Sequence, residues 1–212
     1  MTSTTFTGPI IGLALLMGQA ALASDQEPVR QASLGAIHAT AEPIVLNRFT
    51  EEEANIRIDG RLDEPVWSQV NGVNQMVVIE PDTLEDTVYD TIAKFLYTPK
   101  GLYVGVWNQQ PSGTMLRRLT KRDMYINRDG NTVMLDTSGE SRYGLWMDVN
   151  LGGSKADGTF LPEKTFTSQW DGPWRGNSFE TEDGFSTEYF LPWSMMAMPE
   201  TDGTRNMGVL LM

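Results

Sequence analysis

Residues 91–97 (Thr-Ile-Ala-Lys-Phe-Leu-Tyr) and 102–108 (Leu-Tyr-Val-Gly-Val-Trp-Asn) are joined by Thr98-Pro99-Lys100-Gly101, and this junction constrains the fold more than any other stretch. Pro and Gly suit successive turn positions, so the chain reverses here and the flanking runs read as a β-hairpin. Alternation at period two puts Leu102, Val104 and Val106 on one face of the second strand, with Tyr103, Gly105 and Trp107 on the other. Residues 131–136 and 143–150 form another pair across a Ser-Gly-Glu-Ser-Arg loop; Leu145, Met147 and Val149 point together, leaving Trp146 and Asp148 opposite. A third pair, 177–180 and 185–191, turns at Glu182-Asp183-Gly184, and Asp-Gly is a strong hairpin signal. No long run of apolar residues at helical spacing interrupts the series, and turn signals recur at sandwich-like spacing. The expected fold is all-β: an antiparallel β-sandwich with short helical turns, its core including Leu102, Val104, Val106, Leu145, Met147 and Val149.

The N-terminus carries a different signal. Residues 9–17 are apolar over a stretch too short to span a bilayer but right for a signal-peptide core, and Ala21-Leu22-Ala23 supplies a small-residue cleavage site. The first seven residues lack Lys and Arg, so the terminal amine is the positive charge there. This reading divides the chain into a signal peptide (1–23), a linker or early edge strand (24–50) and the sandwich (51–212). The protein is then exported, to the periplasm, the outer membrane or the medium. Residues 206–212 form an apolar strand with no polar tail after it, and we expect the sequence to be a piece of a longer protein.

Composition excludes several functions. A net charge of -12 repels phosphate, so nucleic acid is not an expected partner. The absence of cysteine removes disulfides, thiolate metal sites and a lipid-modified N-terminal Cys. A single histidine, His38, is too little for a His-based triad or a multi-His metal site. No glycine-rich phosphate loop and no G-x-S-x-G elbow is present, and the 28 acidic residues read mostly as solvated surface.

The six tryptophans point toward a ligand, because an indole stacks on the C–H face of a pyranose while its rim hydrogen-bonds. Trp67 reads as the anchor of a helical turn against the sandwich, and Trp193 as structural. Trp107 and Trp146 face away from the aliphatic side of their strands and are candidate binding residues. In Trp170-Asp171-Gly172-Pro173-Trp174-Arg175, two indoles stand in turn-forming sequence beside a carboxylate and a guanidinium, so Trp170, Trp174, Asp171 and Arg175 join them.

The series Ile56-Arg-Ile-Asp-Gly-Arg-Leu-Asp-Glu-Pro-Val-Trp67, Gly101-Leu-Tyr-Val-Gly-Val106, Lys121-Arg122-Asp123, Val133-Met-Leu-Asp136, Val149-Asn150 and Gly184-Phe-Ser-Thr-Glu188 with Leu191-Pro192 resembles, in order, the family 9 carbohydrate-binding module. It is nearer still to the family 9-like domain at the N-terminus of large exported bacterial proteins that continue into an outer-membrane β-barrel. The resemblance implies a carbohydrate-binding-module or DOMON-like sandwich that holds a neutral oligo- or polysaccharide between aromatic rings, with structural calcium nearby. It also implies a non-catalytic module working in carbohydrate catabolism, usually beside a glycoside hydrolase. Trp174 matches an aromatic wall, Trp107, Trp146 and Trp170 compete for the second, and Arg122 and Asp123 match a shared Arg-Asp pair. The alternative the resemblance implies is a structural or docking domain for a membrane barrel. A related sandwich type binds haem, but Met195, Met196 and Met198 read as core filler and no haem is expected.

Overall fold

The turn at residues 98–100 holds because Thr98 N donates to Gly101 O (2.9 Å) and Lys100 N to the Thr98 hydroxyl (3.2 Å). It joins β3 (Thr91–Tyr97) to β4 (Gly101–Gln109) in the computed structural model, which describes residues 4–6, 43–81, 83–140, 142–161, 165–201 and 203–212. The remaining elements are β1 (Thr4–Phe6), β2 (Ile44–Arg48), α1 (Glu51–Ala54), β5 (Gly130–Asp136), β6 (Gly144–Asn150), β7 (Lys155–Leu161), β8 (Thr165–Thr167), β9 (Arg175–Glu180), β10 (Gly184–Pro192) and β11 (Gly208–Leu211). Apart from Thr4–Phe6, the expected export segment lies outside the described residues, as does His38.

Two sheets result, one of six strands in the order β1-β2-β3-β4-β10-β9 and one of five in the order β11-β5-β6-β7-β8. Val104 pairs with Phe95 and Tyr189, and Met147 with Val133, in registers that turn every apolar residue of one parity inward. Leu102, Val104, Val106, Leu145, Met147 and Val149 are all buried in one cluster between the sheets, as the alternation predicts. Met196 is buried there too, with Met195 and Met198 packed against it. At one end a polar network bolts the sheets together: Asn131 exchanges side-chain hydrogen bonds with Asn108, and takes the Thr187 hydroxyl (2.8 Å) on Oδ1 and the Tyr189 hydroxyl (2.5 Å) on its carbonyl.

The sandwich is not wholly antiparallel. β2 runs parallel to β3, pairing Asn47 with Leu96, and a parallel pair needs a long crossover. Here the crossover is the layer carrying Trp67. Thr50 and Glu53 form a capping box that starts α1, and Pro65 opens the 3-10 turn Pro65–Gln69. Together they lay Ala54, Val66 and Trp67 on the outer face of the six-stranded sheet, over Leu96, Tyr103 and Phe190. Gly105 makes room for this layer, since a Cβ there would sit 2.7 Å from Leu62 and 3.2 Å from the Trp67 ring.

Candidate binding cleft

Trp146 and Asp148 share the outer face of β6, and Met134 and Thr132 lie opposite them on β5. Trp146 fits flat because its neighbour on β7 is Gly158, where a Cβ would come within 2.7 Å of the indole nitrogen. Asp123, Met124, Tyr125 and Arg128, with the segment from Gln75 to Glu80, line a cavity of about 610 Å³ on this face. Met124 and Tyr125, both exposed, stand at its edge, and Asn108 and Asn131 of the sheet-bridging network line its end.

The polar centre of the cleft is an ion pair. Arg128 Nη2 lies 2.5 Å from Asp148 Oδ1, with both side chains about nine-tenths buried, and the Thr132 hydroxyl donates to Asp148 Oδ2 at 2.8 Å. Burial pushes the Asp148 carboxyl above its usual range, against the pull of the Arg128 charge and the Thr132 hydrogen bond. The Arg128 guanidinium also lies over the Tyr125 ring, 4.8 Å from its centroid. Two of the lining residues, Arg128 and Trp146, each carry a buried N–H, Nε and Nε1, with no acceptor. Such groups lose solvation without compensation unless a ligand or water supplies an oxygen.

The sequence-predicted residues scatter around this site. Trp146 and Asp123 line the cleft. Trp107 is half-buried on the outer face of the other sheet, beside Leu62 and Phe179 in a separate groove. Trp170 packs against the core cluster and covers Gly172. Trp174 requires a correction, because it is not an exposed loop ring. It is only 6% exposed, stacks on Tyr189 within the inter-sheet core (centroids 6.0 Å apart) and donates Nε1 to Asp157 at 3.0 Å. Arg175 begins β9 and therefore turns the other way, its guanidinium 4.9 Å above the Phe190 ring. The two neighbours cannot face one ligand.

Arg122, Asp123 and Asp171 meet around Asp157, which is fully buried on β7. One Asp157 oxygen pairs with Arg122, and the other takes Gly172 N (2.7 Å) and Trp174 Nε1. Among the described residues Asp123, Asp157 and Asp171 bring carboxylate oxygens within 4.8 Å of one another, a spacing suited to a metal. The cation there is Arg122: its Nε lies 2.8 Å from Asp171, and Asp123 Oδ1 already accepts Asp157 N at 3.1 Å. Calcium needs six to eight free oxygen ligands, and these residues do not fit it as arranged.

Sequence reasoning missed Tyr125 and Arg128 as site residues. The signals lay in the shared parity of Trp146 and Asp148, which demands a cation over a buried carboxylate, and in the basic and aromatic loop that follows Thr120.

Compared with known protein families the sequence finds no match, and it finds none among curated proteins. Solved structures are more informative. A family 9 carbohydrate-binding module from Caldicellulosiruptor kristjanssonii, in complex with cellotriose, superposes with a TM-score of 0.51 at 16% identity, covering 72% of this chain and 69% of that one. A structure of such a module from the same organism with glucose gives a TM-score of 0.50 at 17% identity, covering 73% of each chain. A protein from Bacteroides uniformis gives 0.50 at 9% identity, covering 69% of this chain and 73% of that one. The chain has the β-sandwich fold of these modules.

Proposed function

We propose that this chain binds a neutral sugar in the cleft beneath residues 121–128, without catalysing a reaction on it. The observation that carries the reading is a 610 Å³ cavity edged by Tyr125 and lined by Arg128 and Trp146, two residues whose Nε and Nε1 are buried without an acceptor. Hydroxyl oxygens satisfy such donors, and a ring face at the mouth gives a pyranose something to stack on. The sandwich shared with modules bound to cellotriose and glucose supports the same ligand class, although fold alone does not choose a ligand. A chain of net charge -12 favours a neutral sugar over an acidic one. Asp148 is committed to Arg128 and Thr132, which leaves it a positioning group rather than an acid or base.

The wider setting belongs to this proposal. An exported module beside a hydrolase or barrel domain accords with residues 9–17 and Ala21-Leu22-Ala23, and an intact mass beginning at Ser24 is its test. The binding itself is tested by calorimetric titration of the chain with glucose, cellotriose and xylo-oligosaccharides. Saturable binding of modest affinity is expected. No heat from any of them at millimolar concentration sinks the proposal and leaves a docking domain in its place.

A further inference from the structure

At the opposite end of β3 and β4 from the cleft, a second and chemically different cavity of about 270 Å³ opens beside the turn at residues 98–100. Its apolar walls are Tyr97, Trp193, Met198 and Met207, and its charged lining is Arg48 and Arg205. Trp193 is fixed by its backbone N–H to Lys100 O (3.0 Å) and by Nε1 to Thr98 O (2.9 Å), and it meets Tyr97 edge-on with centroids 6.5 Å apart. Its one polar atom is therefore spent, and it offers the cavity only an apolar ring. Met207 is fully buried beneath and belongs to the inter-sheet core cluster.

The two arginines are anomalous in this chain. Acidic residues outnumber basic ones, 28 to 16, and the other guanidiniums are mostly engaged. Arg57, Arg117, Arg122, Arg128 and Arg142 sit in ion pairs, and Arg61 and Arg175 lie over aromatic rings. Among the described residues Arg48, Arg118 and Arg205 have neither a carboxylate partner nor a ring beneath them, and of these Arg48 and Arg205 share one pocket. Two such guanidiniums on the lining of a pocket whose other residues are Tyr97, Pro99, Trp193, Met198, Met207 and Thr98, the last with its hydroxyl taken by Lys100 N, ask for a ligand with an apolar body and an anionic end. A planar guanidinium matches a carboxylate in two parallel hydrogen bonds. The volume lies just below the usual range of ligand sites, which limits the body to about one ring.

We infer that this end of the sandwich binds a single-ring aryl carboxylate, its ring against Trp193 and Met198 and its carboxylate between Arg48 and Arg205. A sugar does not suit this pocket, whose walls leave ring hydroxyls few partners besides the guanidiniums. The site is thus independent of the sugar cleft and stands or falls apart from it.

The test uses the whole chain and three probes at low salt: benzoate, benzamide (the same ring without charge) and acetate (the same charge without a ring). Binding is followed by calorimetry and by the Trp193 indole N–H signal in NMR, assigned through Trp193→Phe. Benzoate is expected to saturate and to shift that signal, with benzamide and acetate at least tenfold weaker. The double variant Arg48→Gln/Arg205→Gln is expected to weaken benzoate at least tenfold with its melting temperature held. Should that variant unfold, the comparison of the three probes on the wild-type chain decides alone. Benzoate binding no better than benzamide or acetate, a Trp193 signal that does not move, or a folded double variant that binds benzoate unchanged overturns the inference.

Discussion

Trp67 donates its indole N–H to Glu188 at 3.2 Å, although the two residues are 121 positions apart. The same carboxylate takes the backbone N–H groups of Asp59 (3.0 Å) and Gly60 (3.2 Å) on its other oxygen. Glu188 is fully buried on β10, so this acceptor ties the crossover layer to the sheet it covers. Gly60 has φ +91, and a Cβ there would meet the Ser178 backbone at 2.4 Å, so the segment approaches the sheet as only glycine permits.

Burial, then the neighbouring Glu64 charge, pushes the Glu188 carboxyl from its ordinary 4.5 up to about 8, against the three donors. Between those two values the folded protein keeps a proton that the unfolded chain has released, so stability falls as pH rises through this window and levels off above it. Glu188→Gln, neutral at every pH and still an acceptor through one oxygen, is expected to remove that pH-dependent component. The measurement is the difference in melting temperature between wild type and variant from pH 4.5 to 8.5. A difference independent of pH defeats the assignment.

Trp174→Ala is expected to cost about 3–5 kcal/mol, as large as the same change at Trp67, because both indoles are core. Trp174→Phe retains much of the packing on Tyr189 but leaves the buried Asp157 short of one donor, and should cost about 1–3 kcal/mol. Urea denaturation reads both. A Trp174→Ala variant as stable as wild type would restore the exposed-loop reading.

The contrast between Trp174 and Val104 shows where sequence reading stops. Val104 lies in a run whose aliphatic residues alternate strictly, so its face follows from period two, and the same holds for Met147. The side of the sandwich that Trp174 enters is fixed by Asp157, 17 residues upstream on β7, a strand whose Lys-Ala-Asp-Gly-Thr-Phe-Leu sequence does not alternate. A charged residue at a core position reads as surface until its donors, Arg122, Gly172 and Trp174, are seen around it. The cleft was half legible for the same reason: Trp146 stood out by parity, while Arg128 arrives from a loop whose path sequence does not give.

Arg122→Ala removes the guanidinium that faces fully buried Asp157. The arginine is itself 41% exposed, so solvent screens part of the loss, and a destabilisation of about 2 kcal/mol is expected. Because the Arg122 guanidinium lies against all three aspartates where a metal would sit, EDTA should leave the wild-type melting temperature unchanged. A fall of several degrees on chelation, reversed by calcium, would show that the cluster holds an ion after all.

The sugar cleft is best probed at Tyr125, which is 48% exposed and packs on Arg128 rather than on the core. Tyr125→Ala should shift stability by no more than about 0.5 kcal/mol, as exposed substitutions do. Loss of one stacked ring should weaken the sugar by about 1 kcal/mol, roughly fivefold. Trp146→Ala is the poorer probe, since the indole is only 5% exposed and its loss unsettles the sheet as well as the site. Trp146→Phe keeps an aromatic ring and removes Nε1, the donor that lacks an acceptor, so affinity should fall while stability holds or rises. Trp107→Ala, in the groove of the opposite sheet, serves as the control and should bind as wild type does. If Trp107→Ala abolishes binding while Tyr125→Ala and Trp146→Phe leave it intact, the sugar lies on the six-stranded sheet and the cleft beneath residues 121–128 is not its site.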